Sequence, residues 1–189
     1  MDFVDPPCLF VLVDGVLGPR LFRAFYRRYA RSIDLQGHEH VLEFGCGSGG
    51  VSEYLAPRLK DGALVCLDIS PPMLRIAEKR LNQYPNVRFL TEPVGNAGLE
   101  ESSLDVVVIH NALHDVPDAE RDRAVAVLAA LLKPGGRICL REPTKPSHGL
   151  PAETFRAMMV EAGLVEIESS EYSVFPIGPV YDGVYVKPD

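Results

Sequence analysis

A glycine-rich loop follows a strand-like run early in the sequence, and two overlapping patterns in it predict different ligands. Gly45, Gly47 and Gly50 satisfy G-x-G-x-x-G, which holds the pyrophosphate of a dinucleotide. Gly45, Gly47 and Gly49, behind Glu43, satisfy E-x-G-x-G-x-G instead. A carboxylate just ahead of the loop would repel a pyrophosphate and attract an ammonium group. Glu43 therefore favours a ligand with positive charge.

The next strand-like run, "ALVCLD", ends in a second acidic residue, Asp68. A carboxylate at this place can accept hydrogen bonds from both hydroxyls of a ribose. Dinucleotide enzymes use the same device, so Asp68 does not discriminate by itself. S-adenosylmethionine combines a ribose with an ammonium and a sulfonium and carries no phosphate, so it satisfies both Glu43 and Asp68.

Strand-like and helix-like runs alternate along the chain, which predicts an α/β fold with a parallel sheet and right-handed crossovers. The last two strand-like runs have no helix between them and predict an antiparallel hairpin. Ligands of such sheets bind beyond the carboxyl ends of the strands, where the strand order reverses. The glycine loop after the first strand lies at that end.

Composition limits the classes of function. A chain of 189 residues is most simply one domain, and its net charge of -7 argues against a general nucleic-acid binder. The four cysteines form no C-x-x-C pair and no cluster with metal-ligand spacing, so we expect no metal, and we expect Cys66 and Cys139 to be buried thiols. The start "MDFVDPP" is wrong for a signal peptide, and the apolar run after it is short and interrupted by Asp14. We therefore expect a cytoplasmic protein.

The chain resembles the class I S-adenosylmethionine-dependent methyltransferases, and most closely their small-molecule branch with the ubiquinone/menaquinone-biosynthesis C-methyltransferases. The matching stretches are "VLEFGCGSG", "LVCLDISPPMLRIAEKR", "NVRFL", "SLDVVVIHNALHDVPD" and "LLKPGGRICLREP". The resemblance implies a Rossmann-like three-layer sandwich with a mostly parallel seven-stranded sheet of order 3-2-1-4-5-7-6. Residues 1–189 would form a single methyltransferase domain, with an N-terminal helical lid or cap over 1–39 and a cofactor-binding core over 40–189.

The resemblance also implies which residues bind S-adenosylmethionine and its product S-adenosylhomocysteine. The loop would line the methionine part, Glu43 would orient its ammonium, Asp68 would bind the ribose, and other residues would flank the adenine or face the methionine end. The implied cofactor-binding set is Glu43, Gly45, Cys46, Gly47, Gly49, Asp68, Ile69, Met73, Glu92, His110 and Asn111. Two alternatives stay open: core packing for Met73, and a solvated loop acid for Glu92, because its loop departs from the family's usual "GDA" pattern.

His114 in "NALHDVPD" is the candidate catalytic base, since a histidine titrates near neutral pH. The alternative is a histidine that caps or packs the loop. Glu142 follows the fifth strand-like run and is a candidate acceptor contact; pairing with Arg141 or a turn role are its alternatives. Tyr26 and Tyr29, on an amphipathic N-terminal helix, are further substrate candidates.

The basic face of that helix is either a solvated surface or a contact with an anionic membrane surface. Its predicted apolar face comprises Leu21, Phe22, Phe25 and Tyr29. The sequence and this resemblance thus predict methyl transfer by in-line displacement to a small-molecule or lipid-like acceptor, by a monomer or homodimer. The alternatives are a cofactor-binding regulator or scaffold without turnover, a nicotinamide-dependent oxidoreductase, and methylation of protein or RNA.

Overall fold

A computed structural model describes residues 4, 6–7, 9, 11–175 and 177–189, and within them the side chains of 12, 14 and 16 are not described. Contacts divide the chain into two compact units, Met1–Ala97 and Gly98–Asp189. The division into a 1–39 lid and a 40–189 core of one domain remains a prediction.

The first unit begins with an N-terminal helical segment and continues with three strands. The helical segment comprises a π-helix, Val11–Leu17, followed by α1, Gly18–Leu21, and α2, Arg23–Ser32. The strands are β1, His40–Phe44, β2, Ala63–Leu67, and β3, Val87–Leu90. The helices among them are α3, Ser52–Leu55, a 3-10 turn, Ala56–Arg58, α4, Pro71–Leu81, and a second 3-10 turn, Val94–Asn96.

The three strands of the first unit are parallel and lie in the order β3-β2-β1. Glu43 is opposite Cys66 and Phe44 is opposite Leu67, so β1 and β2 end side by side. The glycine loop and Asp68, which follow these two ends, are therefore neighbours. Buried aliphatic side chains such as Leu42 and Leu64 form the core that fixes this register.

The second unit contains four longer strands and two long helices. Its strands are β4, Leu104–His110, β5, Leu132–Lys145, β6, Val165–Val174, and β7, Gly178–Val186, with a two-residue strand, His148–Gly149, beside the end of β5. Its helices are a 3-10 turn, Leu113–Asp115, then α5, Asp118–Leu131, and α6, Ala152–Glu161.

In the second unit β4 and β5 are parallel, whereas β7 is antiparallel to both β5 and β6. The strand order is β4-β5-β7-β6. This order and that of the first unit are the two halves of the predicted order 3-2-1-4-5-7-6. The predicted α/β fold class and its antiparallel C-terminal hairpin are confirmed.

The apolar face predicted for the N-terminal helix is only partly correct. Tyr29 is buried, but Leu21 is 74% exposed and Phe22 is also exposed, because the helix is interrupted between α1 and α2 and the two parts do not share one face. Arg58 donates hydrogen bonds to the carbonyls of Ala30 and Ile33 and thereby caps the end of α2. Both parts of the segment have buried residues, Gly18 and Pro19 in α1 and Tyr29 and Ala30 in α2.

Three thiols are buried, as predicted for Cys66 and Cys139; Cys46 is the third, and Cys8 lies outside the described residues. Within the described ranges, no helix is both long and apolar enough to cross a membrane.

Candidate functional site

The glycine loop is a tight turn whose backbone only glycine adopts readily. Gly45, Gly47 and Gly49 have φ angles of 69°, 52° and 79°, in the left-handed region. The N–H groups of Gly45 and Cys46 donate to Leu67 O at 2.9 and 3.0 Å and so attach the loop to the end of β2. The backbone conformation that sequence patterning predicted for the loop is therefore present.

Asp68 joins the loop to the start of α4. Its two carboxylate oxygens accept the N–H of Gly47 at 2.7 Å and the N–H of Ser70 at 2.8 Å. Burial raises the pKa of Asp68, and these two hydrogen bonds offset part of that rise. A carboxylate has about four acceptor positions, so Asp68 retains capacity for a ligand's hydroxyls.

Glu43 lies deeper than the rest of the loop, with only 2% of its surface exposed. Its carboxyl group is hydrogen-bonded to the hydroxyl of Ser52, in the first turn of α3, a partner that sequence analysis did not identify. Burial raises the pKa of Glu43 to about 8, the charge of Asp68 adds to the rise, and the hydrogen bond from Ser52 opposes it. Glu43 is therefore mostly protonated at pH 7 until a cation approaches it.

The raised pKa of Glu43 predicts a pH dependence of stability. Between pH 4.5 and about 8 the folded state holds a proton on Glu43 that the unfolded state has lost, so the free energy of unfolding falls as pH rises. Glu43→Gln removes this titrating group. We therefore expect the difference in free energy of unfolding between variant and wild type to shift in favour of the variant as the pH rises from 5 to 8. Urea unfolding at pH 5 and at pH 8 measures the free energy of unfolding, and Glu101→Gln, at an exposed residue, is the control. An equal pH slope in Glu43→Gln and wild type would contradict the prediction.

The other residues assigned to the adenine and ribose lie in the same unit. Ile69 is 43% exposed and directly follows Asp68. Met73 is buried on α4, and its Cε lies 3.7 Å from the place where a Cβ on Gly47 would be. Ser70 occupies the N-cap position of α4 without a side-chain capping bond, and its buried hydroxyl has no hydrogen-bond partner among the described residues. Glu92 follows β3 on the surface.

Two further residues assigned to the cofactor lie in the second unit, at the end of β4. His110 is buried, and burial together with the charge of Arg141 lowers its pKa to about 3, so the imidazole is neutral. Asn111 has a φ of 52° and donates its backbone N–H to Arg141 O at 2.9 Å. The chain leaves β4 through this left-handed residue, and the 3-10 turn Leu113–Asp115 follows.

Glu142 binds the backbone N–H groups at the start of the 3-10 turn Leu113–Asp115. It is fully buried, and its carboxylate accepts the backbone N–H groups of Ala112 and Leu113 at 2.8 Å each and that of His114 at 3.3 Å. The same carboxylate lies 2.6 Å from His114 Nδ1. Arg141, the alternative partner considered for Glu142, pairs with Asp182.

The imidazole of His114 is therefore oriented with Nδ1 toward Glu142 and Nε2 away from it. Burial lowers the pKa of His114, but the hydrogen bond and charge of Glu142 and the charge of Asp115 outweigh burial, so the pKa lies above its usual value. The His114 side chain is 4% exposed. This geometry is that of a histidine fixed through Nδ1 by a carboxylate, with Nε2 directed away from that carboxylate.

The carbonyl side of the same turn is held by Arg121, a buried residue of α5. Its guanidinium donates to the carbonyl oxygens of Leu113 at 3.1 Å, His114 at 3.3 Å and Val116 at 2.7 Å. The sequence gives no indication of this role for Arg121. The turn is thus bonded on its N–H side by Glu142 and on its carbonyl side by Arg121.

Two residues that sequence analysis did not assign lie beside His114. Asp115 Oδ1 is 3.4 Å from His114 Nε2, and His148 Nε2 is 3.3 Å from the same nitrogen. The pairing of His148–Gly149 with the end of β5 brings His148 to this place. No sequence spacing indicates this, because His148 lies in another loop.

Both tyrosines proposed as substrate contacts lie on α2 in the first unit. The ring of Tyr26 lies over the loop, where a Cβ on Gly50 would be 3.1 Å from Tyr26 Cε1. Tyr29 is 2% exposed. Their contact with an acceptor remains a prediction, as does that of Glu142.

Comparison with known proteins identifies the family. A family model described as a methyltransferase domain matches residues 41–136, which contain the glycine loop, Asp68 and His114. The match covers half of the chain, and the chain belongs to this methyltransferase domain family.

Curated relatives include methyltransferases of lipids and quinones. The chain is 30% identical over 144 residues to a phthiotriol/phenolphthiotriol dimycocerosates methyltransferase of Mycobacterium leprae, covering 76% of this chain and 52% of that protein. It is 30% identical over 142 residues to a demethylmenaquinone methyltransferase of Lactiplantibacillus plantarum, covering 73% of this chain and 59% of that protein. The chain thus spans little more than half the length of these relatives.

Solved structures share the fold. The N-methyltransferase NodS of Bradyrhizobium japonicum, solved with S-adenosyl-L-homocysteine, matches with a TM-score of 0.75 and 21% identity. The match covers 94% of this chain and 91% of NodS.

Proposed function

We propose that the protein transfers a methyl group from S-adenosylmethionine to a small-molecule or lipid-like acceptor. The observation that carries the proposal is Asp68, which is bonded to the N–H groups of Gly47 and Ser70 and so joins the glycine loop to the residues assigned to the ribose and adenine. Membership of the methyltransferase family and the complex of NodS with S-adenosylhomocysteine support it.

The residues of the first unit fit this cofactor. Ile69 exposes apolar surface beside Asp68, which suits an adenine ring, and the buried hydroxyl of Ser70 has no bonding partner in the described part of the chain. Glu43 supplies a carboxyl group behind the loop. A ligand without phosphate needs no cationic side chain at this place. An ammonium group gives the Glu43 carboxylate a charged partner, whereas a pyrophosphate offers it none.

S-adenosylmethionine, when bound, supplies an electrophilic methyl group on its sulfonium. The protein's part is orientation and exclusion of water. Asp68 and the glycine loop would hold the ribose and the methionine backbone, and Glu43 would lose its proton to pair with the ammonium. His114, fixed through Nδ1 by Glu142, would take a proton from the acceptor at Nε2 where the acceptor must lose one.

The N-terminal helical segment is proposed as the lid. Gly15 of this segment approaches Met73, whose Sδ lies 3.2 Å from where a Cβ on Gly15 would be, and Tyr26 covers Gly50. The segment therefore contacts Met73, which is assigned to the adenine, and Gly50, which directly follows the glycines assigned to the methionine part. The exposed apolar side chains of Leu17 and Leu21 would then meet a lipid-like acceptor or a membrane surface.

The names of the relatives suggest which acceptors to test, and demethylmenaquinone and a phthiotriol-type lipid are the first two. The protein would act in the cytoplasm as a monomer or homodimer, without nucleic acid. Incubation with S-adenosylmethionine carrying a labelled methyl group, followed by lipid extraction, tests the proposal. We expect label in an acceptor; cofactor binding without transfer to any acceptor would favour a regulator or scaffold.

His114→Ala should lower turnover while leaving the affinity for S-adenosylhomocysteine within about twofold. The reason is that Nε2 of His114 is proposed to act on the acceptor, a role that contributes about 10²–10⁴-fold to rate when a base is required. Single-turnover rates and calorimetry measure the two quantities, and His38→Ala, at an exposed histidine, is the control. An unaltered single-turnover rate would show that His114 does not act on the acceptor and has a structural role only.

A further inference from the structure

We propose that His114, Asp115 and His148 bind a divalent transition-metal ion of the Zn²⁺ type. One ligand atom from each of the three side chains can be chosen so that all lie within 4.8 Å of one another. Two imidazole nitrogens and one carboxylate oxygen form a ligand set that such ions accept. The proposal does not depend on the proposed methyl transfer.

The distances within the cluster suit a tetrahedral ion. Ligand atoms about 2.0–2.1 Å from a tetrahedral metal lie about 3.3 Å from one another. His114 Nε2 is 3.3 Å from His148 Nε2 and 3.4 Å from Asp115 Oδ1. Two of the three ligand separations therefore already have the value that a bound ion requires.

A direct hydrogen bond between the two histidines is the competing interpretation of the 3.3 Å separation. The two rings are nearly perpendicular, at 85°, with centroids 4.6 Å apart. This centroid distance is shorter than a head-on arrangement of the two nitrogens would give. The rings therefore meet edge to face, and an ion bound to both Nε2 atoms would hold the centroids about 5 Å apart, so ion binding would require the exposed His148 ring to turn outward.

His114, whose Nε2 is common to both short distances, is held as metal-binding histidines usually are. Its Nδ1 lies 2.6 Å from the fully buried carboxylate of Glu142, which fixes the ring and directs Nε2 outward. The turn that carries His114 and Asp115 is bonded to Glu142 through its N–H groups and to Arg121 through its carbonyls. Two ligands are therefore positioned before any ion binds.

The third ligand, His148, is placed by a short hairpin at the end of β5. Its backbone pairs with Lys145, and Gly149 pairs with Thr144. Gly149 has a φ of 141°, and a Cβ there would lie 2.1 Å from Pro143 O, so the backbone at this place requires glycine. His148 itself is exposed, so an ion and its exchangeable ligand can reach the cluster from solvent.

Three protein ligands leave a tetrahedral ion one further position, which water or an oxygen atom of a ligand can fill. A hydroxyl or carboxylate oxygen of a small ligand is the chemical group that such an ion would take. A bound ion would also occupy His114 Nε2. In the metal-bound form the imidazole could therefore not act as a base, and the ion would withdraw charge from the bound oxygen instead.

The test is a metal titration of the full chain after dialysis against a chelator. Co²⁺, which replaces Zn²⁺ and absorbs visible light when tetrahedral, is the spectroscopic probe, and competition between Zn²⁺ and a chromophoric chelator gives the affinity. We expect one ion per chain, with visible absorption bands of tetrahedral Co²⁺. His148→Ala and Asp115→Asn should each weaken binding at least tenfold, whereas His38→Ala should not.

Far-ultraviolet circular dichroism of each variant checks that it is folded, and His148→Ala changes an exposed side chain, so it should fold. Zn²⁺ binding that His148→Ala and Asp115→Asn leave unchanged would overturn the proposal, as would the absence of tetrahedral Co²⁺ bands in wild type. S-adenosylhomocysteine titrated into the same metal-free protein keeps the two questions separate. Cofactor binding without metal binding would reject only the metal site.

Discussion

Glu142→Ala should lower the free energy of unfolding by about 3–5 kcal/mol. The substitution removes the buried acceptor of three backbone N–H groups and the partner of His114 Nδ1 at once. Domains of this kind are stable by only about 5–15 kcal/mol in total, so this loss is a large part of the whole. Urea unfolding followed by circular dichroism measures it.

Glu142→Gln keeps the shape of the side chain and one acceptor oxygen, so we expect a smaller loss, about 2 kcal/mol. It also remains measurable if the alanine variant does not fold. Glu161→Ala, at the exposed end of α6, is the control and should change stability by less than about 0.5 kcal/mol. A loss below about 1 kcal/mol in Glu142→Ala would show that the 3-10 turn does not depend on this carboxylate.

Asp68→Ala should weaken S-adenosylhomocysteine binding at least about 100-fold, because hydrogen bonds to a charged group are worth about 1.5–3 kcal/mol each. The substitution removes the proposed acceptor of the ribose hydroxyls. It also frees the N–H groups of Gly47 and Ser70, so the loop loses its link to α4. Calorimetric titration of the variant measures the affinity.

Two variants separate these effects of Asp68. Asp68→Asn retains one acceptor oxygen and the size of the side chain, and should bind more tightly than Asp68→Ala. Asp61→Ala removes an exposed acid from the same unit and should bind like wild type. An Asp68→Ala variant that is folded and binds with unaltered affinity would remove the role assigned to this residue.

Features encoded locally were predictable from the sequence. The alternation of strands and helices, the antiparallel end and the glycine loop depend on hydrophobic period, on turn residues and on glycine's access to positive φ. Gly45, Gly47 and Gly49 all adopt such φ angles. Asp68 was found because the end of a parallel strand is a fixed place relative to the loop beside it.

Features that arise from tertiary contacts were not predictable. Glu142 and His114 are 28 residues apart, and the sequence offers no sign that one carboxylate holds both the turn and the imidazole. His148 reaches His114 through a hairpin whose register depends on Gly149. The exposure of Leu21 and Phe22 was missed because helical period alone does not show that α1 and α2 are separate helices.

Calorimetric titration of the protein with S-adenosylhomocysteine and, separately, with NAD tests which ligand the glycine loop binds. We expect one-to-one binding of S-adenosylhomocysteine and no binding of NAD. At about 100 times the dissociation constant the bound ligand adds about 2.7 kcal/mol, which should raise Tm by about 5–10 °C. Binding of NAD alone would contradict S-adenosylmethionine as the cofactor, because it would mean that the loop behind Glu43 holds a pyrophosphate.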